Sequence, residues 1–265
     1  MIPRRWGEPY CEAAVRPTSV GRVIRGFPRY GVDAPLVLLG LWAATLFTAA
    51  WTVLAFTWHG WVRWLLLAVT LYWLFAAVSF THTTLRGKFR VWDAELDRLG
   101  LDGRERVVDL GCGRGAVLLL AARRLTEGRA LGVDLWRAID QSGNSEAATR
   151  ANAEAEGVSD RVDLLTGDLR ALPLPDACAE VVVSNLALHN MPALEDRGAA
   201  VVEAYRVLAP GGRLRIADFR NGLQYEEILD RLGAVDVDVR GLGWRGWYGG
   251  PWLATSMLSA AKPAG

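Results

Sequence analysis

The stretch VVDLGCGRGAVL, residues 107–118, decides the fold. A β-branched, apolar run reaches an acid, Asp109, passes through alternating glycines Gly111, Gly113 and Gly115, and becomes a leucine- and alanine-rich segment. That pattern predicts a strand, a tight turn and the start of a helix. Glycine lets the backbone adopt positive φ and lets a ligand lie against bare main chain. The helix start beyond it is expected to offer free N–H groups to an anionic ligand group. A nucleotide-like cofactor is therefore expected here, with its identity open.

Working outward, the chain from residue 84 onward alternates strands and helices. Strands are predicted at 106–110, 130–133, 161–165, 179–184, 213–217, 235–239 and 255–261. Helices are predicted at 88–99, 116–125, 147–156, 197–208 and 223–232. The helix at 88–99 carries Phe89, Trp92, Leu96 and Leu99 on one side and is expected to pack over the sheet edge. Such alternation predicts a mostly parallel, seven-stranded sheet with helices on both faces, in which ligands bind at the carboxyl ends of the strands.

Upstream of 84 the composition is different. Residues 1–33 form a basic, irregular arm with six arginines (Arg4, Arg5, Arg16, Arg22, Arg25, Arg29). Residues 35–58 and 64–80 are two uncharged apolar runs separated by a polar break that holds Arg63. Each run is about long enough to cross a hydrocarbon core, so residues 34–83 read as a transmembrane helical hairpin. Trp58, Trp61 and Trp64 sit at the break like an interfacial belt, and basic residues flank the outer ends. The charge bias predicts a cell (plasma) membrane protein with two helices, a short external loop and the domain at 84–265 in the cytoplasm. Gly40 and Ala44 form a small-xxx-small pair that would let helices pack closely, and the hairpin is a surface through which copies would associate. The competing reading is a hairpin buried in a soluble core.

The 265 residues carry a net charge of +1, so no nucleic-acid partner is expected. The three cysteines, Cys11, Cys112 and Cys178, have neither C-x-x-C spacing nor neighbouring histidines. Neither a metal site nor a disulfide framework is expected.

The glycine stretch fits two patterns. As G-x-G-x-x-A it matches the loose dinucleotide fingerprint. As D-x-G-x-G-x-G it places Asp109 where a pyrophosphate would be repelled and an ammonium group welcomed. In this second form the chain resembles the class I S-adenosylmethionine (SAM)-dependent methyltransferases over roughly residues 90–263. Residues 107–115 resemble the family's first motif, 132–134 its second strand, 167–169 its adenine-side segment and 208–214 the turn before its fifth strand. The resemblance implies a Rossmann-like fold with SAM as cofactor, bound by Asp109, Gly111, Cys112, Gly113, Gly115, Asp134, Leu135, Trp136, Gly167, Asp168, Leu169 and Asn185. Asp134 would take the ribose hydroxyls and Asp168 the adenine amino group. The connection after Asp134 is longer than is usual in the family. Within it, Trp136 either covers the adenine or packs, and Gln141 and Asn144 are rim candidates.

Methyl transfer needs the acceptor atom aligned with the methyl–sulfur bond, and a base where the acceptor is a hydroxyl. His189, just beyond the fourth strand, is the expected base, because imidazole exchanges protons near neutral pH. Asn185 and Tyr248 are further catalytic candidates, and Asp218 is a weaker one. Residues 241–252, GLGWRGWYGGPW, supply an aromatic wall with one cation, Arg245. That wall would face either a flat, lipophilic acceptor or the membrane. The sequence thus predicts a membrane-anchored SAM-dependent methyltransferase acting on a small lipophilic or aromatic acceptor. An NAD(P)-dependent oxidoreductase and a non-catalytic membrane-tethered module are the alternatives.

Overall fold

A computed structural model describes residue 6 and residues 30–57, 60–137, 139–219 and 222–265. Most of the basic arm, Cys11 and Trp58 lie outside the described residues; Trp6 is buried against the sheet, its indole donating to Asp163 at 3.2 Å.

Two long helices come first, α1 (Pro35–Ala55) and α2 (Val62–His82). Pro35 opens α1, where its missing N–H costs nothing. The two pack along a threonine stripe, Thr45, Thr48 and Thr52, whose hydroxyls donate to the carbonyls four residues back. Thr52 and Thr70 also hydrogen-bond across the pair at 2.9 Å. Small and hydroxylated residues let apolar helices approach without a hydrophobic driving force. Gly40 is not part of this contact, since a Cβ there would meet open space. Within the chain, the threonines rather than the small-xxx-small pair make the helix contact. Only 11% of the most apolar window of α1 and 17% of that of α2 is buried. A hairpin sunk in the core of this domain would bury most of its apolar surface, and this one leaves most of it exposed.

The helix does not stop at the expected boundary near 83. A π-helical turn, Thr83–Gly87, carries α2 directly into α3 (Lys88–Leu99). Seven strands follow, β1 (Arg106–Leu110), β2 (Arg129–Asp134), β3 (Val162–Thr166), β4 (Ala179–Asn185), β5 (Leu208–Phe219), β6 (Val235–Gly241) and β7 (Thr255–Ala261). Helices α4 (Ala116–Ala122), α5 (Glu146–Glu156), α6 (Leu194–Val207) and α7 (Gly222–Arg231) connect them. The sheet order is β3-β2-β1-β4-β5-β7-β6, with β7 antiparallel to both neighbours and the other pairs parallel. β5 starts five residues before the expected strand because its Leu208 already pairs with Ala179, across an irregularity that absorbs Pro210 and two glycines.

Strand side chains alternate between two cores. Val108, Leu110, Val182 and Ile216 pack on one face with α6 and α7. Val107, Val181, Val183, Ala217 and Met257 pack on the other with α4 and with Phe89, Trp92 and Leu96 of α3. α3 thus lies on the face of the sheet, not over its edge. Its buried Glu95 explains the placement, receiving Arg215 of β5 at 2.9 Å, Arg98 at 3.0 Å, and Arg240 of β6. Glu95→Ala would leave these guanidinium groups around an apolar hole. It is expected to cost about 3–5 kcal/mol and to lower the thermal midpoint by on the order of 10 °C, measured by circular dichroism.

Candidate functional site

The chain leaves β1 toward β2 and β3, then returns to β4 on the other side. The carboxyl ends of β1 and β4 therefore flank the switch point. A cavity of about 640 Å³ opens there, within the range of small-molecule sites.

Asp109 ends β1 on the cavity wall, 1% exposed. Neither carboxylate oxygen has a hydrogen-bond partner among the described residues. Burial, with the Asp134 carboxylate nearby, pushes its pKa up to about 8, and the Leu118 amide offsets this only in part. A buried, unpartnered acid is costly unless a ligand completes it. A cationic group is the complement.

Asp134 ends β2 on the same wall. Its carboxylate is fixed by the amides of Gly113 at 2.8 Å and Trp136 at 2.6 Å and by the Asn144 side chain at 3.2 Å. Asp168 sits after β3, clamped by Arg170, whose guanidinium holds the acid below the usual carboxylate range. Leu135 and Leu169 line the cavity beside these two acids.

The amides of the glycine loop itself are all engaged. The amides of Gly111 and Cys112 donate to Val133, Gly113 to Asp134, Arg114 to Gln141 and Gly115 to Cys112. All five are committed within the protein, so this loop is no phosphate cradle. Its glycines serve geometry instead: Gly111 has φ +74° and a Cβ there would overlap the side chain of Ala187. Of the expected cofactor residues, Gly115, Gly167 and Trp136 lie off the cavity wall. Trp136 packs against the α4 side of the core, and its indole donates to Thr166 at 2.8 Å. Cys112 is on the wall, where burial raises its thiol pKa well above the ordinary value.

Across the cavity, His189 Nδ1 lies 2.7 Å from Asp218 Oδ1, and the His189 amide donates to Oδ2 at 3.0 Å. Asp218 is 4% exposed and also receives the Phe219 amide and the Tyr225 hydroxyl. Phe219 meets the imidazole edge-on. An ionised Asp218 keeps the proton on Nδ1 and leaves Nε2 as the imidazole's acceptor. Asp218 is thus a hydrogen-bond partner of His189. Asn185 also lines the cavity, its Oδ1 receiving the indole N–H of Trp92 at 2.7 Å.

Tyr248 lies on the wall between Phe80 and Phe219, its hydroxyl donating to Asp33 at 3.0 Å. Burial, with the Asp33 charge, raises that phenol pKa well above its ordinary value. The rest of the 241–252 segment grips α2. Trp252 stacks on Tyr72, Trp244 lies against His82, and the Trp247 carbonyl accepts from Ser79 and Thr83. The segment therefore faces both ways, with Tyr248 toward the cavity and the tryptophans toward the helix.

Three residues on this side were not singled out from sequence. Asp33 receives Lys88 at 2.8 Å, Thr84 at 2.9 Å and Gln141 at 3.3 Å in addition to Tyr248. Asp33, Lys88 and Phe80 all line the cavity. Neither the apolar runs nor the motifs signal them, because they are joined only by the docking of the hairpin.

Residues 108–216 match the family model described as "Methyltransferase domain". The ubiquinone/menaquinone biosynthesis C-methyltransferase UbiE of Dinoroseobacter shibae is 35% identical over 134 residues, 50% of each chain. The chain thus spans half the length of that curated relative. Among solved structures, the [4+2]-cyclase SpnF matches with a TM-score of 0.57 and 22% identity, over 69% of this chain and 84% of that one. A geranyl diphosphate methyltransferase in complex with SAM matches with a TM-score of 0.51 and 16% identity, over 66% and 85%. Both are likenesses of fold. Residues 108–216 are thus similar to a methyltransferase domain, and the fold around them is the Rossmann-like one seen in solved SAM-dependent methyltransferases.

Proposed function

We propose that this protein is a membrane-anchored SAM-dependent methyltransferase acting on a small lipophilic or aromatic acceptor. The observation that carries the cofactor reading is the buried, unpartnered carboxylate of Asp109 in the same cavity as Asp134. The donor set fits SAM: Asp109 takes the ammonium, Asp134 the ribose hydroxyls and Asp168 the adenine amino group, with Leu135 and Leu169 beside the base. When bound, SAM supplies an electrophilic methyl on a sulfonium. The chain's own part is to orient the acceptor, exclude water and remove its proton. His189, held by Asp218, takes that proton; Asn185, fixed by Trp92, and Tyr248 position the acceptor ring.

The dinucleotide alternative is disfavoured by the committed loop amides, which leave no cradle for a pyrophosphate. A quinone-type ring is the acceptor class we favour, since the UbiE relative is named for quinone biosynthesis and Tyr248, Phe219 and Phe80 offer flat apolar walls. Incubating the full chain with methyl-labelled SAM and a host membrane extract tests this. Label is expected in the organic-soluble fraction, and label confined to water-soluble products would overturn the lipophilic acceptor.

Residues 34–83 anchor the domain in the membrane, as their length, lack of charge and exposed apolar faces support. A cysteine introduced at Gly60 is expected to react with an impermeant maleimide added outside intact cells. Reaction only after the cytoplasmic face is opened would reverse the orientation.

A further inference from the structure

The hairpin is more than a tether in this fold, because its cytoplasmic end is part of the cavity. Ala34 and Val37 at the start of α1, and Phe80 near the end of α2, line the same 640 Å³ space as Asp109, Asp134 and His189. All three lie outside the segment matched by the family model, residues 108–216. So do Lys88, Tyr248 and Leu253, which complete that side of the wall.

The join is built from polar contacts that fix its geometry. Asp33, the last residue but one before α1, ties Thr84 of the π-helical turn, Lys88 of α3, Gln141 of the loop after β2 and Tyr248 of the β6–β7 segment. The Asp33 amide also donates to Thr84 at 3.0 Å, and Ser79 and Thr83 hold the Trp247 carbonyl. Polar side chains such as Arg137 and Arg170 line other parts of the wall, but beside α1 the lining includes open apolar residues. Val37 is 50% exposed, Leu253 40% and Ile139 75%, and all three line the cavity. Leu36 and Leu39 continue the exposed apolar surface along α1.

We propose that this rim is a lateral mouth through which the acceptor enters from the membrane. The acceptor is then an amphiphile, with its ring in the cavity between Tyr248 and His189 and its hydrocarbon tail passing Val37 and Leu253 to lie along α1. The inference rests on the reading of this cavity as the cofactor and acceptor site, and it adds the route and the tail. A water-borne acceptor would have no use for an apolar rim continuous with an apolar helix, and such patches mark contact with lipid or an apolar ligand.

The test uses the full chain in phosphatidylcholine nanodiscs and a 1,4-naphthoquinone bearing a sixteen-carbon chain with a diazirine on its first carbons. After illumination, mass spectrometry is expected to find adducts on Phe80, Tyr248 or Leu253. Val37→Trp and, independently, Leu253→Trp are each expected to reduce adducts on Phe80 and Tyr248 at least ten-fold. S-Adenosylhomocysteine (SAH) affinity, read by calorimetry, is expected to stay within two-fold in a variant that has folded. Adducts confined to helix faces away from the mouth, such as Leu46 and Leu71, would overturn the proposal. So would undiminished cavity labelling in both variants. Failure of the wild-type protein to bind SAH would instead refute the cofactor reading, and the two failures are separately visible.

Discussion

Replacing Asp109 by Asn is expected to weaken SAH binding by on the order of 10²–10³-fold without lowering the stability of the empty protein. The loss reflects a charge-assisted, desolvated contact to the ligand ammonium, whose removal costs roughly 3–4 kcal/mol. Stability is spared because the wild-type carboxylate is buried without a partner. The sign with pH follows from the raised pKa of about 8. A buried acid whose folded pKa lies above its unfolded value destabilises the empty protein as pH rises from about 4 toward 8. Below pH 8 the empty site holds a proton that a cationic ligand must expel. Affinity should therefore rise from pH 6 to 8 and then level off, with close to one proton released per ligand at pH 7. Calorimetry in buffers of different ionisation enthalpy measures that proton. Asp109→Asn should abolish both the release and the pH dependence; an unchanged affinity would remove Asp109 from the site.

His189→Ala should leave SAH affinity within a few-fold and lower kcat by about 10²–10⁴-fold, the usual worth of a positioned base. Asp218 acts through the imidazole, so Asp218→Asn should lower kcat by about 10–100-fold with little change in KM for the acceptor. A purely structural Asp218 would instead disturb KM and thermal stability along with kcat. Steady-state kinetics at saturating SAM separate these outcomes. Unchanged kcat in His189→Ala would show that the acceptor is activated without it.

The strand-and-helix skeleton was legible because its signals are local. Residues 106–110 alternate between two buried faces and give way to glycines, so both the strand and the turn can be read from spacing. The hairpin was legible for the same reason, an uninterrupted apolar length. What sequence could not show is how the two parts meet. Asp33 lies 215 residues from Tyr248 along the chain, and nothing in either neighbourhood announces the pair. The continuous helix through 83–87 was likewise hidden, because a charge boundary at 84 looks like a domain boundary. Trp136 illustrates a different limit: an indole after an acid suits either a stacked base or a packed corner, and its hydrogen bond to Thr166 is visible only in the fold. The commitment of the loop amides was not legible either, because Asp134 and Gln141, which take those of Gly113 and Arg114, reach them only in the fold.

The cofactor identity is the claim on which the rest depends. Isothermal titration of the detergent-solubilised full chain at pH 8 with SAM, SAH and NADH tests it most directly. Saturable binding of SAM and SAH at one site per chain, with no heat from NADH, is the predicted result. Binding of NADH alone would contradict it.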